Sequence, residues 1–189
     1  ETDSGSVTLT DCMPIRTGQP DLVRLATGVR GKVRMRTELV IRFDCGSITP
    51  WVERESGGLR AVGGPDTIHV RTPVPLRDED WTMVGEFEIA EGDQIPFVLT
   101  WHPSHHQAPP PIDAIRAIEA TVGWWTAWSA RCTYEGEWRE AVVRSLITLK
   151  ALTYTPTGGM VAAPTTSLPE RIGGQRNWDY RYCWLRDAT

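Results

Sequence analysis

The sequence has no run of 18 apolar residues and no block of 5 like charges. The first absence excludes a membrane-spanning helix. The second, with 20 Lys and Arg against 24 Asp and Glu and a formal net charge of −4, leaves no basic footprint for nucleic acid, which is not an expected partner. Cysteine is sparse: Cys12, Cys45, Cys132 and Cys183 stand far apart with no C-x-x-C pair. Neither a redox motif nor a dense disulfide framework is encoded. The opening ETDSGS has neither the basic start nor the apolar core of a secretion signal. A reducing, cytoplasmic compartment is the expectation, although the chain begins without Met. No internal repeat or low-complexity tract is present. The Gly pairs at 63, 158 and 173 lack the strand–GxGxxG–helix setting of a nucleotide site.

What is there begins with alternation. In residues 33–44, VRMRTELVIRFD, the apolar or neutral Val33, Met35, Thr37, Leu39, Ile41 and Phe43 alternate with a mostly charged series. A period of two is the signature of a half-buried strand. Shorter runs occur at SVTLTD, TIHVR and EFEIAEGDQIPFVLTW, the last divided by a turn at Glu91-Gly92-Asp93. Several strands at this spacing imply an antiparallel sandwich.

The organisation changes at HPSHHQAPPPI, residues 102–112, where three consecutive prolines read as an extended linker. His102, His105 and His106 have no Cys or carboxylate within a few residues, so the reading is solvated linker histidines rather than a zinc site. Asp113 is placed to cap a helix whose apolar face is Ile115, Ile118, Val122 and Trp125, broadened by Trp124 and Trp128. A second helix, about residues 136–154, has Trp138, Val142, Leu146, Leu149 and Leu152 on one side and Val143, Ile147 and Ala151 on another, which implies burial between neighbours. Thr155-Pro156-Thr157-Gly158-Gly159 ends it.

Near the end of the chain, NWDYRYCWLRD, residues 177–187, gathers two Trp, two Tyr, two Arg and two Asp. Sugars offer apolar C–H faces to aromatic rings and hydroxyl rims to donors and acceptors, and this stretch supplies both. Arg186 and Asp187 stand side by side as donor fork and acceptor pair. The other reading makes Trp178, Tyr180, Tyr182 and Trp184 core rings along a strand, with Arg186 and Asp187 as an ordinary ion pair. The residues alone leave both open.

The stretch GGMVAAPTTSLPERIGGQRNWDYRYCWLRDAT resembles the opening of the catalytic domain of glycoside hydrolase family 15, the glucoamylase-like enzymes. The likeness is to the bacterial branch that includes glucoamylases, glucodextranases and α,α-trehalases. It extends upstream through EWREAVVRSLITLKALTYTPTGG to VRMRTELVIRFDCGSITPWV and so covers most of the chain. The resemblance implies an antiparallel, supersandwich-like β-sandwich followed by the first helices of an (α/α) barrel. The implied divisions are residues 1–101 for part of the sandwich, 102–132 for a Pro-rich linker and linker helix, and 133–189 for the start of the barrel.

The same resemblance implies inverting, exo-acting cleavage of terminal α-linked glucose. Tyr180, Trp184, Arg186 and Asp187 match the positions that hold the nonreducing glucose, Tyr180 as aromatic wall, Arg186 as donor and Asp187 as acceptor. The expected partner is an α-linked glucose oligosaccharide or disaccharide, such as a maltooligosaccharide, isomaltose or trehalose. Inversion needs an acid and a base about 6.5–9.5 Å apart. In the family both are glutamates well downstream of W-x-R-D, so they are expected beyond Thr189. The chain then reads as an internal fragment without a catalytic pair. Glu170, in TTSLPERIGG, has a loop or capping reading, and Glu135, Glu137 and Glu140 read as solvent or helix-start charges. No cofactor is expected. Some trehalases of the family have been linked to phosphate and Mg²⁺, but no oxygen cage for a metal is recognisable here. The alternatives are a non-catalytic carbohydrate-binding sandwich and a purely structural or interaction domain.

Overall fold

The computed structural model describes residues 1–15, 18–165 and 171–185. It divides into two compact units, Glu1–Trp124 and Trp125–Thr189. The first is an antiparallel sheet with a helix beginning at its end, as the alternation and the capping signal imply. The second carries the other helix and irregular chain.

The alternating run belongs to a longer strand than its own pattern marks. β1 (Gly5–Cys12) pairs with β2 (Asp21–Leu39), a strand of 19 residues. Residues 40–43 leave β2 yet keep its alternation: Ile41 and Phe43 are buried while Val40 and Arg42 are exposed. Pairing stops at Leu39 because its partner strand begins there, with Leu39 opposite Met83.

Two strands not marked by the alternation join the expected TIHVR strand at one side of the sheet. β3 (Trp51–Glu55), β4 (Gly58–Gly63) and β5 (Asp66–Arg71) form two successive hairpins. The Gly63-Gly64-Pro65-Asp66 stretch is the second hairpin turn, with Gly64 at φ 61°. β6 (Arg77–Glu79) turns through Asp80 and Trp81, both at positive φ, into β7 (Thr82–Ala90). β8 (Gln94–Pro103) follows, and the strand order is β3-β4-β5-β8-β2-β7-β6, with β1 also on β2.

β7 and β8 flank the expected turn, but each ladders with a different half of β2. Asp21–Thr27 pairs with β8 and Lys32–Leu39 with β7. Between them the turn docks on β2: Gly28 N–H donates to Asp93 O, Gly92 N–H to Gly28 O, and Glu91 N–H to Gly31 O, each at 3.0 Å. A Cβ on Gly28 would collide with the carbonyl oxygen of Ala90, which requires glycine at this crossing.

The two faces of the sheet bury different things. Ile41, Phe43, Leu59, Ala61, Val70 and Met83 form the largest apolar cluster, and Ala26, Val33 and Ile89 a second. On the opposite face Val23 and Val98, opposite each other in register, receive Ala114, Ile112 and Ile118. The element bearing Ala114 is α1 (Ala114–Ser129), capped as expected: Asp113 Oδ1 accepts from Ile115 N–H at 3.0 Å and Arg116 N–H at 3.1 Å.

Two expectations need correction. The inward face of α1 is Ala114, Ile118 and Thr121, whereas Ile115 and Val122 are 38% and 59% exposed. The small Val23–Val98 surface accepts this rotation because the Thr121 hydroxyl is satisfied, donating to Ala117 O and accepting from Ile15 N–H. His102 is also not a solvated linker residue. It lies inside β8 and is 3% exposed, because the sheet runs past Trp101 and turns His102 to its helix-bearing face.

Ile89, 1% exposed, is the largest fully buried side chain. Ile89→Ala is expected to lower unfolding free energy by about 2–5 kcal/mol through lost burial and a residual cavity. Gly28→Ala is expected to cost at least about 1–3 kcal/mol by overpacking the crossing. Asp113→Ala, which removes the cap and an exposed ion pair with Arg116, is expected to cost about 0.5–2 kcal/mol. Denaturant unfolding measures all three, and a Gly28→Ala protein as stable as wild type would contradict the crossing geometry.

Candidate functional site

The second unit is built from one helix and the loops folded back against its end. α2 (Arg139–Ala151) has Glu140 in its first turn and Lys150 in its last, matching the helix dipole. It is shorter than its apolar pattern implies, and none of its residues is buried among the described residues. Trp138 and Leu149 are 64% and 46% exposed, so the expected burial between neighbours is not what the described residues show.

The chain exits α2 through the expected Thr-Pro-Thr-Gly-Gly turn. Gly158 N–H donates to Tyr154 O and Tyr154 N–H to Gly159 O, both at 2.8 Å, with Gly158 at φ 74°. Val161 N–H then donates to Leu152 O at 3.0 Å, tying the returning chain to the helix end. The next two amides hold the aromatic stretch: Ala162 N–H donates to Tyr182 O at 3.2 Å and Ala163 N–H to Tyr180 O at 2.9 Å. Backbone hydrogen bonds, not a strand or helix, therefore set where this stretch lies.

Tyr180 and Trp184 come together. Their rings stack with centroids 5.5 Å apart and planes 25° from parallel, and both are half-buried. Trp178 and Tyr182 instead point outward at 48% and 67% exposure, which overturns the reading of four core rings along a strand. The remaining two predicted site residues, Arg186 and Asp187, lie outside the described residues, as does Glu170. Glu135, Glu137 and Glu140 are exposed, in keeping with solvent and helix-start roles.

One pair in the stretch escaped the sequence reading. Asp179 Oδ1 accepts from Arg181 N–H at 3.0 Å, closing a tight local turn around Tyr180, and the Arg181 guanidinium grips both carboxylate oxygens, with Nη2 to Oδ2 at 2.6 Å. The Arg181 hydrogen bonds pull the Asp179 pKa down to about 2. Its folded pKa is thus below the ordinary value, and the stabilisation is full above that value and lost only as pH falls through about 2. The available signal was the D-x-R spacing, a turn-forming carboxylate two residues before a guanidinium.

A stacked pair of half-buried rings beside a fixed ion pair is a surface on which a pyranose ring can lie, with polar groups at its edge. Among the described residues no group of three or more His, Cys, Asp or Glu is placed to hold a metal ion. No helix of the described residues is long and apolar enough to cross a membrane.

Residues 136–189 match the family model described as glycosyl hydrolases family 15. The chain is similar to a trehalase of Thermoplasma volcanium, 31% identical over 96% of this chain and 30% of that protein. It is also similar to a trehalase of Thermoplasma acidophilum, 32% identical over 90% of this chain and 29% of that protein. A trehalase of Mycobacterium tuberculosis is 45% identical over 69% of this chain and 20% of that protein. The chain thus spans about 30% of the length of the first of these relatives. No solved structure matches it significantly. The ring-and-charge motif lies within the segment, residues 136–189, that the model for glycosyl hydrolases family 15 matches, and the trehalases align across most of the remainder of the chain.

Proposed function

We propose that this chain is part of an inverting, exo-acting α-glucoside hydrolase whose substrate is trehalose, and that it supplies part of the pocket for the terminal glucose. The observation that carries the reading is the Tyr180–Trp184 stack inside the segment matched by the family model. Trehalose is preferred over maltooligosaccharides and isomaltose because the relatives named above are all trehalases.

In this reading residues 1–103, through the end of β8, belong to a β-sandwich, 104–132 to a linker with its helix, and 133–189 to the opening of an (α/α) barrel. Tyr180 and Trp184 form the apolar wall on which the glucose C–H face rests. Arg186 donates to the outer hydroxyls, and Asp187 accepts from them. Asp179 and Arg181 keep the Tyr180 backbone in place. The general acid that protonates the glycosidic oxygen and the base that activates water are glutamates beyond Thr189, on opposite faces of the sugar. A cytoplasmic setting is part of the proposal, supported by four cysteines that stand free.

Arg186→Lys and Asp187→Asn, made in the longest native form of the protein, are each expected to reduce kcat/KM for trehalose by about 10²-fold or more. Losing a charged hydrogen bond in a desolvated pocket costs about 2–4 kcal/mol, part of it felt only at the transition state. Thermal midpoints should change little. A sharp fall in midpoint with normal turnover would instead make the two residues a structural ion pair. Weak sugar binding without turnover in that full form would favour a non-catalytic carbohydrate-binding module.

The 189-residue chain by itself is expected to release no glucose from trehalose, maltose or isomaltose, since a general acid–base pair typically contributes several orders of magnitude in rate. Glucose release above a Glu170→Gln control would place catalysis on Glu170 and overturn the assignment of acid and base to downstream glutamates.

A further inference from the structure

His69 and His102 are the two buried histidines, 2% and 3% exposed, on neighbouring strands β5 and β8. Their rings lie near-parallel, 14° apart with centroids at 5.2 Å, and their Nε2 atoms face each other at 3.1 Å. At the far end of His69, Nδ1 lies 2.9 Å from Glu55 Oε2 on the edge strand β3. At the far end of His102, Nδ1 donates to the carbonyl of Pro103 at 2.8 Å. On β4, between β3 and β5, Gly58 lies opposite Glu55 and Arg60 opposite His69.

Counting protons along this row fixes its state. Because His102 Nδ1 carries a proton to Pro103 O, Nε2 of the neutral ring is a bare acceptor. His69 Nε2 must then donate to it. A further proton on the His102 ring has only Nε2 to occupy, and it would set one N–H against another at the 3.1 Å contact.

We propose that the Glu55–His69–His102 row is a proton-operated latch that pins the end of β8, and with it the turn into the proline-rich segment, to the edge hairpin of the sheet, and that mild acidification opens it. The turn begins at once after His102: Ser104 N–H donates to Pro65 O at 2.7 Å and His106 N–H to Pro103 O at 3.0 Å. Losing the His69–His102 bond therefore loosens the start of the connection that leads to α1.

The groups around His102 oppose its protonation. Burial is the first cause holding it below the ordinary histidine value, and His69, His106 and Arg60 add positive charge nearby, against the Pro103 hydrogen bond that favours the proton. On β3 and β4 the facing charges are Glu55, Glu53 and Arg60; Arg60 Nη2 binds Glu53 Oε2 at 2.5 Å, and its Nε lies 3.8 Å from Glu55 Oε1. Unfolded histidine titrates near 6.5. With a lower value in the fold, the unfolded chain binds more protons in the window below about 6.5. The His102 contribution to stability is thus full above that pH and is lost as pH drops through the window.

The test is unfolding of the 189-residue chain between pH 7.5 and 5, above the range where carboxylates titrate, for wild type and His102→Gln. The Gln Oε1 can accept from His69 Nε2–H but takes up no proton. The wild-type folding constant is expected to fall by up to about tenfold per pH unit below 6.5. His102→Gln should remove most of that slope while matching wild-type stability at low pH or exceeding it. Equal slopes in the two proteins would overturn the latch. Should His102→Gln fail to fold, nitrogen-15 NMR of the wild-type ring decides: at pH 7.5 His102 is expected to be neutral with its proton on Nδ1. A proton on Nε2 would overturn the proposal.

Discussion

The first unit depends on a change of partner halfway along one strand. β2 ladders with β8 up to Thr27 and with β7 from Lys32, and the β7–β8 turn is docked on the four residues between. At the switch, Gly28 N–H and O and Gly31 O are taken up by that turn. The approach is close enough that position 28 accepts no side chain. Everything that follows in space, from the β8 edge carrying β5, β4 and β3 to the β7 edge carrying β6, is hung from this crossing.

Because the two faces of the sheet meet different neighbours, they solve different problems. One face collects Ile41, Phe43, Leu59, Ala61, Val70 and Met83 into an apolar cluster whose burial is the main driving force for the unit. The opposite face is apolar only where α1 lands, at Val23 and Val98. Beside that patch it carries Thr67, His69, Thr100 and His102, all 2–3% exposed. Buried polar groups persist only when their hydrogen bonds are made. Here they are: Thr100 Oγ1 donates to Asp21 Oδ1 at 2.6 Å and accepts from Arg71 Nη1 at 3.3 Å, while the histidines bind each other, Glu55 and Pro103.

The second unit places its aromatic pair by different means. Tyr180 and Trp184 lie on irregular chain, held by Ala162 and Ala163 amides that are themselves tied back to the end of α2 through Val161. Asp179 and Arg181 lock the turn between them from the other side. A loop braced at both ends by hydrogen bonds keeps its two half-buried rings in register.

Some of this was determined by the amino-acid sequence alone. The alternation in residues 33–44, the Glu91-Gly92-Asp93 turn, the Asp113 cap and the proline-and-glycine exit from α2 are local effects, set by side-chain period and backbone chemistry within a few residues, and the structure keeps each of them. The W-x-R-D stretch with its spaced tyrosines was likewise legible, because family likeness is carried by residue order. Other features were decided only by tertiary structure. Nothing near His102 in the chain marks it as buried, since its partners His69 and Glu55 lie 33 and 47 positions away and meet it only when β3, β4, β5 and β8 align. The face of α1 that turns inward was settled by the small Val23–Val98 surface and by the hydrogen bonds open to Thr121, not by its strongest apolar stripe. Period and capping specify which elements form; which of their faces is buried depends on the shape and hydrogen-bonding capacity of whatever the fold brings against them.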